Sequence, residues 1–433
     1  MWNKEVETAQ LEQMQSWQLA RLRENLHRVY ENVPFYKKKF DHIGFKPGDF
    51  KKLSDLNGLP FTLKNDLRDN YPFGLSALPM SEITRIQASS GTTGRPIIGT
   101  YTSSDVSNWG ECCARALTAS GIGKNDIIQV SYGYGLFTGG LGLHGGGETV
   151  GCTVLPTSSG ITERQVTMMR DLGVDSLCCT PSYALTIADK ANEMGIDIAP
   201  LKIRTGCFGA EPWSDEMRRE IETRMGITAH NIYGLTEMMG PGMSFTCNSH
   251  DGWLHVNEDH IYPEIIDPVT EETLPYGEIG ELVFTALSRQ AMPLIRYRTR
   301  DISALDRKPC PHCRRTLIKM KKIMGRTDDM LIISGVNVFP SQIESLLLDT
   351  PEVEPQYVIV VRKKGHLDAL SVDVEAKAHI YEQGQDIIRE IAKKVEKHIH
   401  GVIGIHVAVR LVAPRSIQRS EGKAKRVFDT RNT

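Results

Sequence analysis

Residues 150–232 alternate short β-rich runs with amphipathic segments of helical length, and few folds accept that rhythm. Strands are expected at 152–155, 176–180, 203–208 and 228–232, with helices at 162–172, 181–194 and 214–225. A strand joined to the next by a helix returns in the same direction, so the strands pair in parallel through βαβ crossovers. A parallel sheet needs helices over its faces, which places the chain in the α/β class. In such sheets ligands gather beyond the carboxyl ends of the strands. Two loops fall there: Gly209-Ala210-Glu211-Pro212 and Tyr233-Gly234-Leu235-Thr236-Glu237.

The flanking sequence reads differently. Leu19, Leu22, Leu26 and Val29 repeat at helical spacing within 8–31, and Asn32-Val33-Pro34 ends that helix. Strand-like runs follow at 83–88 and 97–101, then a helix over 104–120 before Gly121, and a buried strand at 127–132. Residues 245–305 change to short β runs. Beyond about 328, strands at 358–361, 370–374 and 405–411 alternate with helices at 340–348 and 385–399, the pattern of a small α+β domain. A chain of 433 residues is too long for one ordinary core. The division expected is a helical segment (1–85) packing on a large domain with parallel βαβ sheets and a β subdomain (86–327), then a small C-terminal domain (328–433).

Composition closes off several function classes. A formal net charge of −2 gives no reason to expect nucleic acid or an anionic membrane as partner. No apolar run approaches the roughly 20 residues of a spanning helix, and the polar start Met1-Trp2-Asn3-Lys4-Glu5 is no secretory signal. Nine cysteines, some adjacent (Cys112-Cys113, Cys178-Cys179), read as reduced thiols of a cytoplasmic protein.

Three stretches carry chemistry. Ser89-Ser90-Gly91-Thr92-Thr93-Gly94-Arg95-Pro96 combines hydroxyls, glycines and a fixed cation, as a phosphate cradle or a hydroxyl-rich hairpin turn. It lacks the Gly-Lys-[Ser/Thr] ending of a Walker A loop. Tyr132-Gly133-Tyr134-Gly135-Leu136-Phe137-Thr138-Gly139-Gly140-Leu141-Gly142 interleaves rings and glycines, suiting a flat apolar ligand or a glycine-rich helix–helix contact. Cys310-Pro311-His312-Cys313 has the spacing of a metal knuckle, with Cys247 and His255 upstream; buried free thiols are the alternative.

Taken in order, these motifs resemble the adenylate-forming superfamily of acyl-CoA synthetases, adenylation domains and luciferases, most closely its phenylacetate–CoA ligase branch. The resemblance rests on the 89–96 loop, Tyr233 to Glu237, Gly280-Glu281-Leu282, Tyr297 to Asp301, Gly325 to Asp328 and Gly422-Lys423. It extends through 71–75, 132–140 and Glu258-Asp259-His260, nearly the full length. Arg95 stands where lysine is common in the wider superfamily, and Arg300 where glycine usually precedes the aspartate; both fit the narrower branch.

The resemblance implies a two-step ligase: a carboxylate attacks the α-phosphate of ATP, and the thiol of coenzyme A then displaces AMP. Ser89, Ser90, Gly91, Thr92, Thr93 and Gly94 would hold the departing phosphates. Thr236 would donate to the α-phosphate and Glu237 would ligate Mg²⁺. Gly209, Ala210, Glu211 and Pro212 would frame the adenine, with Asn231, Ile232 and Tyr233 beside it. Asp301 would accept from the ribose hydroxyls, unless it is a turn aspartate paired with Arg298 or Arg300, and Arg326 would contact ribose or phosphate. Lys423 would bridge carboxylate and α-phosphate. The small domain would turn about Asp328 between the two steps, bringing Gly335 to the thiol. An aryl acid would sit among Tyr134, Phe137, Gly139, Gly140, Ala210, Pro241 and Ile295. Members with a comparable cysteine–histidine set favour His255 over the rival His250 as fourth ligand, with Cys247, Cys310 and Cys313, of a structural zinc.

The small-molecule partners are therefore ATP, coenzyme A and an aryl carboxylate, phenylacetate or a hydroxylated or indolic analogue. A second copy of the chain is the one macromolecular partner left open. Two other functions share these residues: an adenylyltransferase that stops at an AMP-linked product, like the F390 synthetases, and a catalytically idle nucleotide-binding protein.

Overall fold

A computed structural model describes residues 1–89, 96–249, 251–327, 331–333, 336–364, 367–419 and 424–431. The chain forms two compact units. The first comprises Met1–Cys179, Leu201–Ala210 and Thr228–Ile323; the second comprises Thr180–Pro200, Glu211–Ile227 and Met324–Thr433.

The first unit contains α1 (Lys4–Glu7), α2 (Leu11–Asn32), α3 (Pro34–His42), α4 (Lys64–Asp69), α5 (Ser103–Ala119), α6 (Thr138–Val150) and α7 (Thr162–Asp171). Its strands are β1 (Arg85–Ala88), β2 (Ile98–Tyr101), β3 (Ile127–Val130), β4 (Thr153–Leu155), β5 (Ser176–Cys179), β6 (Thr205–Gly209) and β7 (Thr228–Leu235). Six more follow: β8 (Gly240–Phe245), β9 (Trp253–Val256), β10 (Ile261–Ile266), β11 (Ile279–Ala286), β12 (Tyr297–Asp306) and β13 (Lys319–Lys321). The alternating stretch forms as its rhythm requires: β4, β3, β5, β6 and β7 lie side by side, each pair parallel. From β7 the sheet continues antiparallel through β8, β9, β13, β12, β11 and β10, which is where the short β runs of 245–305 go. β1 and β2 form a separate antiparallel hairpin around the hydroxyl-rich loop.

The apolar stripe of α2 supplies Leu22, Leu26 and Val29 to a core shared with Phe40, Phe284 and Leu294, all fully buried. α5 starts on a reciprocal cap: Thr102 Oγ1 accepts from the Asp105 N–H at 3.0 Å, and the Asp105 carboxylate accepts from the Thr102 N–H at 3.0 Å. From Thr138 on, the glycine-rich run is a helix, and its glycines serve contact with α5. A Cβ at Gly142 would stand 2.6 Å from Trp109, and one at Gly146 only 2.4 Å from Cys113. Helix–helix packing explains those two glycines.

The second unit holds α8 (Pro181–Glu193), α9 (Asp215–Met225), α10 (Pro340–Leu348), α11 (Ala378–Tyr381) and α12 (Gln385–Ile403). Its strands are β14 (Gly325–Arg326), β15 (Leu331–Ile333), β16 (Val336–Val338), β17 (Val353–Lys364), β18 (Leu367–Ala376), β19 (Val407–Val412) and β20 (Val427–Asp429). A four-stranded sheet runs β19-β18-β17-β20, antiparallel only between β17 and β18. Ile359, Val361, Val372 and Val374 of this sheet meet Val395 and Ile399 of α12 in one core. α8 and α9 join this unit through charged contacts. Arg224 donates to Asp189 at 2.8 Å and to Glu354 at 2.6 Å, and Arg415 pairs with Glu193 at 2.7 Å.

Candidate active site and metal cluster

The parallel strands β6 and β7 end at Gly209 and Leu235, and the predicted nucleotide residues of the first unit cluster there. Gly209 faces Ile232 in register, and a Cβ at Gly209 would lie 2.0 Å from the Ile232 carbonyl oxygen, so no larger residue fits. Ala210 is exposed in the left-handed region, φ +71°. The Asn231 N–H donates to Thr246 Oγ1 at 2.8 Å. The Tyr233 hydroxyl donates to Asp301 Oδ2 at 2.6 Å, joining β7 to β12. Arg300, at φ +69°, turns the backbone just before this aspartate, while Arg298 forks onto Glu281 at 2.9 and 3.0 Å.

The turn from β7 to β8 carries Thr236 and Glu237, both buried. The Thr236 and Thr138 hydroxyls are 3.1 Å apart. Among the described residues nothing hydrogen-bonds to the Glu237 carboxylate, and a buried carboxylate with its oxygens uncommitted fits a magnesium ligand. This turn is held from beneath by Arg289 and Tyr101, which sequence reasoning missed. The buried Arg289 guanidinium donates to the carbonyls of Glu237 at 2.7 Å and Thr100 at 3.1 Å, and also to that of Met238. It lies 4.3 Å above the Tyr101 ring, whose hydroxyl donates to the Thr236 and Met239 carbonyls at 3.3 and 3.2 Å. Thr100 and Tyr101 end the strand leaving the hydroxyl-rich loop, so Arg289 couples that hairpin to the Thr236–Glu237 turn. No local pattern around Ser288-Arg289-Gln290 distinguishes this arginine from a solvated one.

At the loop itself, the Ser89 N–H donates to Ile97 O at 2.9 Å, and Ser89 Oγ accepts from the Ile97 N–H at 3.2 Å. Ser90, Gly91, Thr92, Thr93, Gly94 and Arg95 lie outside the described residues. The Ala88 N–H reaches Leu136 O at 2.7 Å, and the Gln87 amide, turned to donate, reaches it at 2.8 Å. These bonds set the aromatic segment against β1. There the Tyr134 hydroxyl lies 3.1 Å from His144 Nδ1, and burial raises its pKa. A Cβ at Gly139 would come within 2.5 Å of the Phe137 ring, and one at Gly140 within 2.8 Å of Gly133 O. The Pro241 carbonyl accepts from Trp109 Nε1 at 2.9 Å. Ile295 is fully buried in the core, its N–H donating to the Tyr36 hydroxyl at 3.0 Å.

In the second unit Pro212 is exposed and Arg326 half-buried. Glu211 spends both oxygens on backbone. Oε1 accepts from the Ser182 N–H at 2.7 Å and Oε2 from the Ala424 N–H at 3.1 Å. Asp328, Gly335, Lys423 and the rival ligand His250 lie outside the described residues.

Cys247, His255, Cys310 and Cys313 converge, with all four ligand atoms within 4.8 Å of one another. β9 supplies His255, Cys247 follows β8, and the knuckle lies between β12 and β13, so antiparallel pairing brings distant sequence together. A tetrahedral zinc with bonds of about 2.3 Å to sulfur and about 2.0 Å to nitrogen sets S···S at about 3.8 Å and S···N at about 3.5 Å. Cys247 and Cys310 sulfurs are 3.8 Å apart, and Cys313 Sγ lies 3.4 Å from His255 Nε2. Hydrogen bonding from Cys247, then burial opposing it and His255 reinforcing it, leaves the Cys313 thiol well below the ordinary range. The donor set fits the ion.

Among the described residues no helix is long and apolar enough to cross a membrane. The profile of the family described as AMP-binding enzyme matches residues 46–288, and that described as AMP-binding enzyme C-terminal domain matches residues 335–431. The chain is 49% identical to the phenylacetate-coenzyme A ligase of Pseudomonas putida, across 98% of this chain and 96% of that protein. It is 44% identical to the phenylacetate-coenzyme A ligase of Thermus thermophilus across 100% of both. The crystal structure of 2-hydroxyisobutyryl-CoA ligase in the postadenylation state, in complex with 2-HIB-AMP, is similar with a TM-score of 0.93 at 28% identity, covering 99% of this chain and 92% of that one.

Proposed function

Since the chain belongs to the phenylacetate–coenzyme A ligases of the AMP-binding enzyme family, we propose that it converts phenylacetate, ATP and coenzyme A to phenylacetyl-CoA, AMP and diphosphate through an acyl-adenylate. The observation that carries this reading is identity of 44% and above to four such ligases over nearly the whole chain.

The chemistry asks for charge neutralisation and alignment, because a carboxylate is a weak nucleophile and both reactants are anions. Residues 89–95 would cradle the β- and γ-phosphates and retain diphosphate as it leaves. Thr236, fixed by its turn and by Thr138, would donate to the α-phosphate. Glu237 would hold Mg²⁺, which screens the triphosphate charge when bound. Asp301, oriented by Tyr233, would accept from the ribose, with Arg326 beside it. Gly209, Ala210 and Pro212 would flank the adenine, with Asn231 and Ile232. Lys423 would supply its cation to the attacking carboxylate and α-phosphate, where charge changes most in the transition state. Rotation about Asp328 would then withdraw it and bring Gly335 to the thiol. The arylacetate ring would lie against Tyr134, Phe137, Gly139 and Gly140, with Pro241 and Ile295 behind.

Cys247, His255, Cys310 and Cys313 would hold a structural zinc whose four protein ligands leave no open position. Nine free cysteines suit a reducing cytoplasm. Diphosphate release over a panel of aryl and aliphatic acids, with and without coenzyme A, tests the reading. Release with phenylacetate, and AMP release stimulated by coenzyme A, are expected. AMP retained on an acyl product despite coenzyme A would mark an adenylyltransferase, and no release with any acid a binding protein.

A further inference from the structure

We infer that the Glu211 carboxylate is a positioning residue for the segment that carries Lys423, and hence for acyl-adenylate formation. This rests on the proposed role of Lys423. Glu211 sits in the turn between β6 and α9, half-buried, and its oxygens accept from two backbone N–H groups far apart in sequence. The first, on Ser182 at 2.7 Å, belongs to the opening turn of α8, where N–H groups lack acceptors within the helix. The second, on Ala424 at 3.1 Å, belongs to the residue directly after Lys423.

The surrounding anchors show why this contact matters. Before residues 420–423, the Ile417 N–H donates to Glu375 at 2.8 Å, and Arg419 forks onto the same carboxylate at 2.7 and 2.9 Å. After them, the Ile359 N–H donates to Arg426 O at 2.7 Å, and Arg426 lies 4.3 Å over the Tyr357 ring and 3.8 Å from Glu344. Ile417 and Arg419 on one side and Ala424 and Arg426 on the other are therefore each held by a defined partner. Glu375, Ile359 and Tyr357 belong to the small sheet itself, whereas Glu211 precedes α9. Glu211 thus ties Ala424, the residue after Lys423, to the opening turn of α8. Its two carboxylate oxygens satisfy both N–H groups. Glutamine offers a single acceptor oxygen and would turn its NH₂ against the other N–H. Adenine framing, the role expected from the sequence, does not use these oxygens.

The test uses the full chain carrying Glu211→Ala or Glu211→Gln. Diphosphate release without coenzyme A reports adenylate formation, and synthetic phenylacetyl-AMP with coenzyme A reports thioester formation. Amide exchange over 424–431 in the unliganded protein reports the tie directly. Loss of a charge-assisted bond should lower kcat for adenylation by roughly tenfold or more, with the ATP KM within about twofold. Thioester formation should fall about fivefold less than adenylation, and exchange at Ala424 to Arg426 should speed up in both variants. A raised ATP KM at unchanged kcat, equal loss of both half-reactions, or unchanged exchange would overturn the inference. If instead the native chain releases no diphosphate with phenylacetate, the proposed reaction fails, and if Lys423→Ala adenylates normally, the role given to Lys423 fails; in either case amide exchange still decides the Glu211–Ala424 tie.

Discussion

The Tyr233 hydroxyl on β7 donates to Asp301 on β12 at 2.6 Å. The bond occupies one carboxylate oxygen and fixes the direction of the other. For the proposed ribose contact this would be preorganisation, since a buried carboxylate free to rotate would lose part of its binding energy on ordering.

Asp301→Asn keeps the shape and removes the charge. The ATP KM should rise roughly tenfold, as expected when a charged acceptor is lost, while thermal unfolding moves little. Tyr233→Phe removes the orienting bond and should raise the KM by about threefold. Steady-state kinetics with varied ATP check both, and an unchanged KM in Asp301→Asn would remove the aspartate from the nucleotide site.

Lys423→Ala should abolish acyl-adenylate formation yet spare thioester formation from supplied acyl-adenylate, because the proposed mechanism uses its cation only in the first step. Diphosphate release and a coenzyme A assay separate the halves. Equal loss in both contradicts the division of labour.

If Cys247, His255, Cys310 and Cys313 hold a structural zinc as proposed, elemental analysis should find one zinc per chain. Cys310→Ser should lose the metal and lower the unfolding temperature by on the order of 5 °C, because distant strands β8, β9 and β13 lose a shared tie. Protein purified without added chelator and found free of zinc would leave the four residues as a thiol–imidazole cluster.

Much of this architecture was legible in the residues, and for identifiable reasons. The βαβ stretch declares itself through its alternating rhythm, and two of its helices, α8 and α9, open on a capping hydroxyl: Thr180 and Ser214 accept from the N–H groups of Tyr183 and Met217. Helix α12 was equally plain, its Ile388, Ile391, Val395 and Ile399 all facing the core. Helix α6 was ambiguous because glycine disfavours helices in isolation, and only Trp109 and Cys113, packed against it, make glycine the residue that fits. The cysteine spacing was visible locally and the resemblance already favoured His255; the pairing of β9 with β13 is what carries His255 to the knuckle. Arg289 and Glu211 were hidden more deeply, since their partners are carbonyls and N–H groups that no side-chain pattern encodes.

The buried pair His260 and Asp259 makes stability fall with acid. Burial dominates at His260 and holds its imidazole below the ordinary range despite Asp259 at 3.2 Å, with Arg115 also opposing the proton. Ser288 Oγ sits 2.7 Å from its Nδ1, and the Arg115 guanidinium forks onto Asp259 at 2.7 and 3.0 Å. A folded-state pKa below that of the unfolded chain, about 6.5, means the unfolded chain binds the extra proton. The contribution is therefore complete above that pH and lost as pH falls through and below it. Asp259 is also depressed, so its contribution holds above the unfolded carboxylate value of about 3.9 and is lost only in stronger acid. The urea midpoint of the native chain should drop between about pH 7 and pH 5, and His260→Gln should flatten that slope even if it lowers the midpoint at neutral pH. An unchanged slope in the variant would assign the acid sensitivity to other groups.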